Sequence, residues 1–203
     1  MPAIGITGGI CTGKSTFCEC LRETLPGAKF FNADEAARTL VELSEVKEEI
    51  RTEFGSGVFS RVGDLNRAKL RAIIFGDATK KRAIERILHP RIRSQWRAEA
   101  KKHRNSPDFF FADIPLLYET GGETLCDRVA VVACSYEVQV RRLMKRMSVE
   151  ASEARQMIKS QMPLEEKIRR GDHVAWNNGD RETLAEQAQL LVALWHKQAW
   201  TKK

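Results

Sequence analysis

The chain has 203 residues, 42% of them hydrophobic, and a formal net charge of +7, enough apolar mass for one domain with a real core. Its longest apolar runs are of strand length, which excludes a helical membrane span. Five cysteines at 11, 18, 20, 126 and 134 show no zinc spacing, so reduced and mostly buried thiols are expected, with Cys11 the accessible exception. Aromatic content is 7% and no nucleic-acid-binding motif is present, so the positive charge is assigned to anionic small ligands.

Ala3-Ile4-Gly5-Ile6-Thr7 predicts a buried strand, and it starts so early that no signal peptide fits before it; a cytoplasmic protein is expected. Residues 8–15 then read Gly-Gly-Ile-Cys-Thr-Gly-Lys-Ser, the full pattern of a phosphate-binding loop. Ser15 to Leu25 continues with helical spacing of Phe17, Leu21 and Leu25. The loop therefore joins a strand to a helix N-terminus, where unpaired amides and the helix dipole attract phosphate. Lys14 can reach the β- and γ-phosphates and Ser15 can offer its hydroxyl to Mg²⁺. Lys14 is expected to serve the transferred phosphate more than the fold.

Four further strands are predicted at Lys29–Asn32, Phe109–Ile114, Arg128–Cys134 and His173–Asn177. Strands alternating with helices imply an α/β fold, a parallel sheet with helices on both faces and ligands at the strands' carboxyl ends. Residues 35–105 carry several helical patterns (36–41, 46–54, 67–75, 82–88 and 92–101), read as a helical insertion. His89-Pro90 falls between the last two, with Pro90 opening the second of them. A helix follows from Tyr136 to about Met147. The basic stretch of about 147–171, broken by Pro163 and poor in apolar residues, reads as a weakly anchored lid. The last helix places Leu184, Ala188, Leu191 and Trp195 on one face. The expected organisation is a single domain: core about 1–34, 106–146 and 172–203, insertion about 35–105, lid about 147–171.

Three places carry chemistry. Asp34, at the end of the second strand, would face the phosphate loop across adjacent strand ends and accept a proton from an attacking hydroxyl; a helix N-cap is an equal reading. Asp113 ends the third strand, as a carboxylate supporting Mg²⁺ directly or through water, or as one bound to backbone. Arg141, Arg142, Lys145 and Arg146 form a basic cluster suited to phosphate, and Arg155, Lys159, Lys167, Arg169 and Arg170 extend it as mostly surface charge.

These residues together resemble the dephospho-coenzyme A kinase family over nearly the whole chain. The likeness runs through Ile6 to Ile10, Gly13 to Thr16, Asn32-Ala33-Asp34, Ala37-Arg38, Leu88-His89-Pro90, Asp113 to Glu119, Arg142, Arg146, Gln161, Asp172 and Asn178-Gly179. The resemblance implies a phosphate-loop, nucleoside-kinase-like fold that transfers the γ-phosphate of ATP to the ribose 3′-hydroxyl of dephospho-coenzyme A. It implies Asp34 as general base and Lys14 and Arg142 as catalytic groups. ATP would lie on Gly8, Gly9, Ile10, Cys11, Thr12, Gly13, Lys14, Ser15, Thr16, Arg142 and Asn178. The acceptor would lie on Asp34, Arg38, His89, Leu116, Leu117 and Glu119, and Mg²⁺ on Ser15 and Asp113. No nucleic acid, membrane or obligatory protein partner is implied. Two positions depart from the family, which has Gly at Cys11 and Asp at Asn32. The competing readings are another small-molecule kinase on the same core and a nucleotide-driven switch; no Asn-Lys-x-Asp guanine motif is present.

Overall fold

The computed structural model describes residues 2–103, 106, 108–198 and 200. In chain order they form β1 (Ala3–Gly8), α1 (Lys14–Thr24), β2 (Lys29–Asn32), α2 (Ala33–Leu40), α3 (Ser44–Phe54), α4 (Arg67–Gly76), α5 (Ala78–Lys102), β3 (Phe110–Asp113), β4 (Arg128–Ala133), α6 (Tyr136–Met147), α7 (Ala151–Lys159), α8 (Leu164–Arg170), β5 (His173–Trp176) and α9 (Arg181–Lys197). Two compact units result. One comprises the segments up to Phe31 and from Ala100 onward, the other Asn32–Glu99.

The first unit is a sheet of order β2-β3-β1-β4-β5. β1 pairs in parallel with β3 and β4, and β4 with β5, so their carboxyl ends share one edge. Alternation along the strands sends Ile4, Ile6, Phe111, Ala130, Val132 and Ala175 to one face. There they pack against Phe17 and Leu21 of α1 and Leu184, Ala188, Val192 and Trp195 of α9. Each such aliphatic or aromatic side chain stabilises the fold by about 1.5–3 kcal/mol when fully buried. The stripe on α9 runs through Val192 rather than Leu191, which sits at its margin. The other face carries Gly5, where an added Cβ would lie 2.8 Å from Leu117 Cδ2 and 2.7 Å from Cys126 Sγ. β5 is an edge strand, and its Trp176 peptide is held by one side chain. Trp176 N–H donates to Gln187 Oε1 (2.7 Å) and Gln187 Nε2 donates to Trp176 O (3.0 Å).

The second unit is mainly helical and has its own core. Val41, Val46, Ile50, Val58, Phe59, Leu70 and Ile84 are buried together, with Phe54, Leu65, Ile87 and Leu88 against them. Two expectations are corrected here. Residues 82–101 form no pair of helices: α5 runs unbroken from Ala78 to Lys102 with Pro90 inside it. A proline there withdraws one donor from the preceding turn, a cost of about 3 kcal/mol. The next residue, Arg91, ties α5 to α3, its guanidinium donating to Ile87 O at 2.6 Å and to Glu49 Oε1 at 2.5 Å. The cap of α2 is Asn32, whose Oδ1 accepts from Glu35 N–H at 2.9 Å, so Asp34 is not the N-cap. Asp34 instead lies in the helix's first turn, on the same exposed side as Arg38.

Asn32→Ala is expected to lower unfolding stability by about 1 kcal/mol, whereas Asn32→Asp, which caps equally well, leaves it nearly unchanged. Urea denaturation of the two variants beside wild type measures the difference.

Candidate active site

β1 ends at Gly8, and the chain must turn before α1 starts at Lys14. Gly13 makes that turn at φ +95°, a conformation open to glycine, and a Cβ there would collide with the Asn177 amide. Inside the loop, Thr12 N–H (3.3 Å) and Thr12 Oγ1 (3.0 Å) both donate to Gly9 O. Cys11 adopts φ +58°, a left-handed backbone carrying a side chain, at the position where the family has Gly.

The loop is clamped from outside by polar side chains. Gln139 Nε2 donates to Ile10 O (2.7 Å), and Ile10 N–H donates to Gln161 Oε1 (3.0 Å). Asn177 Nδ2 donates to Thr12 O (2.8 Å), and Lys167 Nζ to Gly8 O (3.4 Å). Arg142, half-buried on α6, makes longer contacts to Thr12 O (3.4 Å) and Asn177 Oδ1 (3.5 Å). The carbonyls of Gly8, Ile10 and Thr12 are thereby consumed. The amides of Lys14, Ser15 and Thr16 begin α1, where an α-helix offers no intrahelical acceptor, so the loop and helix end form an anion cradle.

Lys14 and Asp113 form a buried ion pair beside this cradle, with side chains 11% and 3% exposed. Asp113 ends β3 opposite Ile6 of β1, so the sheet register itself brings the two together. Ser15 is exposed on the first turn of α1. A serine hydroxyl and a carboxylate are hard oxygen donors that suit Mg²⁺, which takes its other ligands from phosphates and water.

Several expected site residues sit differently from their sequence reading. β3 stands between β1 and β2, so the strand ends bearing the loop and leading to Asp34 are not adjacent. Leu117 is fully buried beside Gly5, so it is core and offers no surface to an acceptor; Leu116 is only partly buried. Glu119 is engaged by Lys167 Nζ (2.8 Å) and by Met162 N–H (3.1 Å). Asn178 Oδ1 accepts from Ser135 N–H (2.8 Å), and it is the preceding residue, Asn177, that holds the loop. His89 is half-buried on α5 in a recess shared with Thr79, Arg82, Glu85 and Arg86, and burial lowers its pKa. Cys11 and Cys126 are partly exposed, and Cys18, Cys20 and Cys134 are buried. Burial raises the pKa of Cys18, Cys20, Cys126 and Cys134.

The stretch 147–171 is not weakly anchored. Ala154, Met157 and Ile158 of α7 pack with Val140 and Leu143 of α6. Arg170 pairs with Glu123 (2.6 Å) and lies 4.3 Å from the centroid of the Tyr118 ring. Lys167, expected at the surface, is completely buried. Gln139, Asn177 and Lys167 were not legible as loop partners. The one signal was position: Asn177 is the last residue of the fifth apolar run, at the carboxyl edge, and Gln139 is one turn before Arg142 on α6.

A parallel sheet with this loop, a lysine–aspartate pair and helices on both faces defines a phosphate-loop kinase. The family model described as Dephospho-CoA kinase matches residues 2–183, and the chain belongs to the dephospho-CoA kinase family. A dephospho-CoA kinase of Geobacillus kaustophilus is 39% identical over 194 residues, covering 95% of this chain and 96% of that one. A solved structure, TT1252 from Thermus thermophilus, is 32% identical with TM-score 0.79, covering 98% of each chain. Shikimate kinase from Acinetobacter baumannii, 15% identical with TM-score 0.54 and covering 98% and 96% of the two chains, shares the fold.

The buried pair revises what removal of Lys14 should do. Lys14→Ala leaves the Asp113 carboxylate buried without its cation, so stability should fall by about 3 kcal/mol, together with turnover. Adding Asp113→Asn should recover much of the stability and none of the activity. Chemical denaturation and a coupled ATPase assay on both variants check this.

Proposed function

We propose that the chain transfers the γ-phosphate of ATP to the ribose 3′-hydroxyl of dephospho-coenzyme A, giving coenzyme A and ADP. The observation that carries the reading is the phosphate loop with its Lys14–Asp113 pair in a chain of this family. In this proposal the backbone of residues 8–16 cradles the polyphosphate, and Lys14 leaves Asp113 to neutralise charge growing on the transferred group. Arg142 reaches Thr12 O and Asn177 Oδ1 by long contacts in its present position and can swing onto the same phosphate, where a planar guanidinium binds two oxygens. Ser15 and Asp113 would hold Mg²⁺, whose charge screens the reacting oxygens. Asn178 lies at the nucleotide edge.

On the acceptor side, Asp34 takes the proton of the 3′-hydroxyl as its oxygen bonds to the γ-phosphorus and the bond to the ADP oxygen breaks. Arg38, on the same exposed helix face as Asp34, His89, Leu116 and Glu119 border the acceptor. The helical region of about 35–105 serves the acceptor, and about 147–171 serves as a lid. The fold fits a protein of the cytoplasm: among the described residues no helix is long and apolar enough to cross a membrane.

The test is an acceptor panel with ATP and Mg²⁺: dephospho-coenzyme A, adenosine, nucleoside monophosphates, shikimate, DNA and no acceptor. Mass and phosphorus spectra of the products should show one new phosphate on the 3′-oxygen of dephospho-coenzyme A. Efficient phosphorylation of another acceptor with dephospho-coenzyme A untouched would sink the proposal. Asp34→Asn should lower turnover by about 10²-fold or more. Because Asn32 is the cap, thermal unfolding of that variant should shift little.

A further inference from the structure

Lys167 is a lysine with no exposed side-chain surface in a stretch of otherwise mostly exposed charge. Burying an ammonium is tolerated where every proton finds an acceptor. Here three acceptors stand around Nζ: Glu119 Oε1 at 2.8 Å, Pro115 O at 2.8 Å and Gly8 O at 3.4 Å. Pro115 O also accepts from Thr7 Oγ1 at 3.0 Å, and Glu119 Oε1 from Met162 N–H at 3.1 Å. The cation therefore gathers the first residue of the phosphate loop, the turn two residues beyond Asp113, and α8. The first two lie at the ends of β1 and β3, the strands that lead to Lys14 and carry Asp113. Apolar residues of similar volume would hold a packed helix at least as well as a buried ion pair, so packing alone does not account for a charge here.

We propose that Lys167 is a positioning residue for phosphoryl transfer: it fixes the Gly8 carbonyl against the Pro115 turn and so sets how the phosphate loop faces Asp113. The inference rests on the kinase reading above but concerns ATP alone. Burial depresses the proton affinity of Lys167, and Lys14 acts in the same sense; the hydrogen bond and charge of Glu119 oppose both and support the charged form. In this role α8 is part of the frame of the nucleotide site, and a shift of the 164–170 segment is felt at Gly8.

The rival account is that Lys167 does no more than neutralise Glu119. The two separate in Lys167→Met and Lys167→Met/Glu119→Gln. The single variant strands a carboxylate and should melt well below wild type. The double variant removes both charges while Gln keeps an oxygen for Met162 N–H, so its unfolding temperature should return most of the way. If Lys167 positions the loop, the double variant still binds Mg·ATP about tenfold more weakly than wild type by calorimetry, on the scale of a misplaced binding group. Recovery of ATP affinity to within about two-fold of wild type would overturn the proposal. Calorimetry with ATP does not depend on the acceptor, so an error in the acceptor assignment would show separately, as wild-type ATP binding without product from dephospho-coenzyme A.

Discussion

A loop that presents its amides to phosphate must dispose of its carbonyls. Each residue brings one donor and one acceptor, and a buried acceptor left unmet costs about 1–3 kcal/mol. Here Gly8, Ile10 and Thr12 hand their carbonyls to Lys167, Gln139 and Asn177, which come from α8, α6 and the end of β5. Much of the first unit can be understood from that requirement. The sheet order puts β4 and β5 on one side of β1, so that Gln139 and Asn177 arrive beside the loop. β3 lies on the other side and delivers Asp113 to Lys14. The core beneath, built from Ile4, Ile6, Phe17, Leu21 and Trp195, keeps β1 and α1 from shifting when charge enters the cradle.

The loop also shows how one site balances opposite demands. Lys14 needs a counter-charge when no phosphate is bound, and Asp113 supplies it. In the function proposed above, the same carboxylate would support a divalent ion once the lysine turns to phosphate. In that proposal polyphosphate enters by exchange of partners, so neither the lysine nor the aspartate has to stay desolvated and alone.

What the sequence made legible were features with local signatures. The glycines, lysine and serine at 8–15 carry their geometry in their own spacing, and five apolar runs between helical patterns give the strands to within a residue or two at each end. Pro90 misled because proline is a local stop signal. α5 nevertheless runs through it, anchored by contacts distant in the chain: Ile84, Ile87 and Leu88 pack in the second core and Arg91 pairs with Glu49. Asn32 and Asp34 are both good caps, and two residues of offset decide which one serves; that offset lies inside the uncertainty of any boundary drawn from pattern. Lys167 was read as surface charge because nothing within its own helix marks it as buried. Its partners are Gly8, Pro115 and Glu119, far away in the chain, and the same distance hid Asn177 and Gln139.

At the far edge of the sheet, Gln187 faces the peptide of Trp176 as a neighbouring strand would, accepting from its N–H and donating to its carbonyl. Val174 and Trp176 on that strand are 39% and 44% exposed, a surface that in combination with open backbone groups invites a second chain to add on. A single side-chain amide counterfeits the missing strand at the last residue of β5. The sheet is thereby given an end: at Trp176 the donor and acceptor that an added strand would need are already taken.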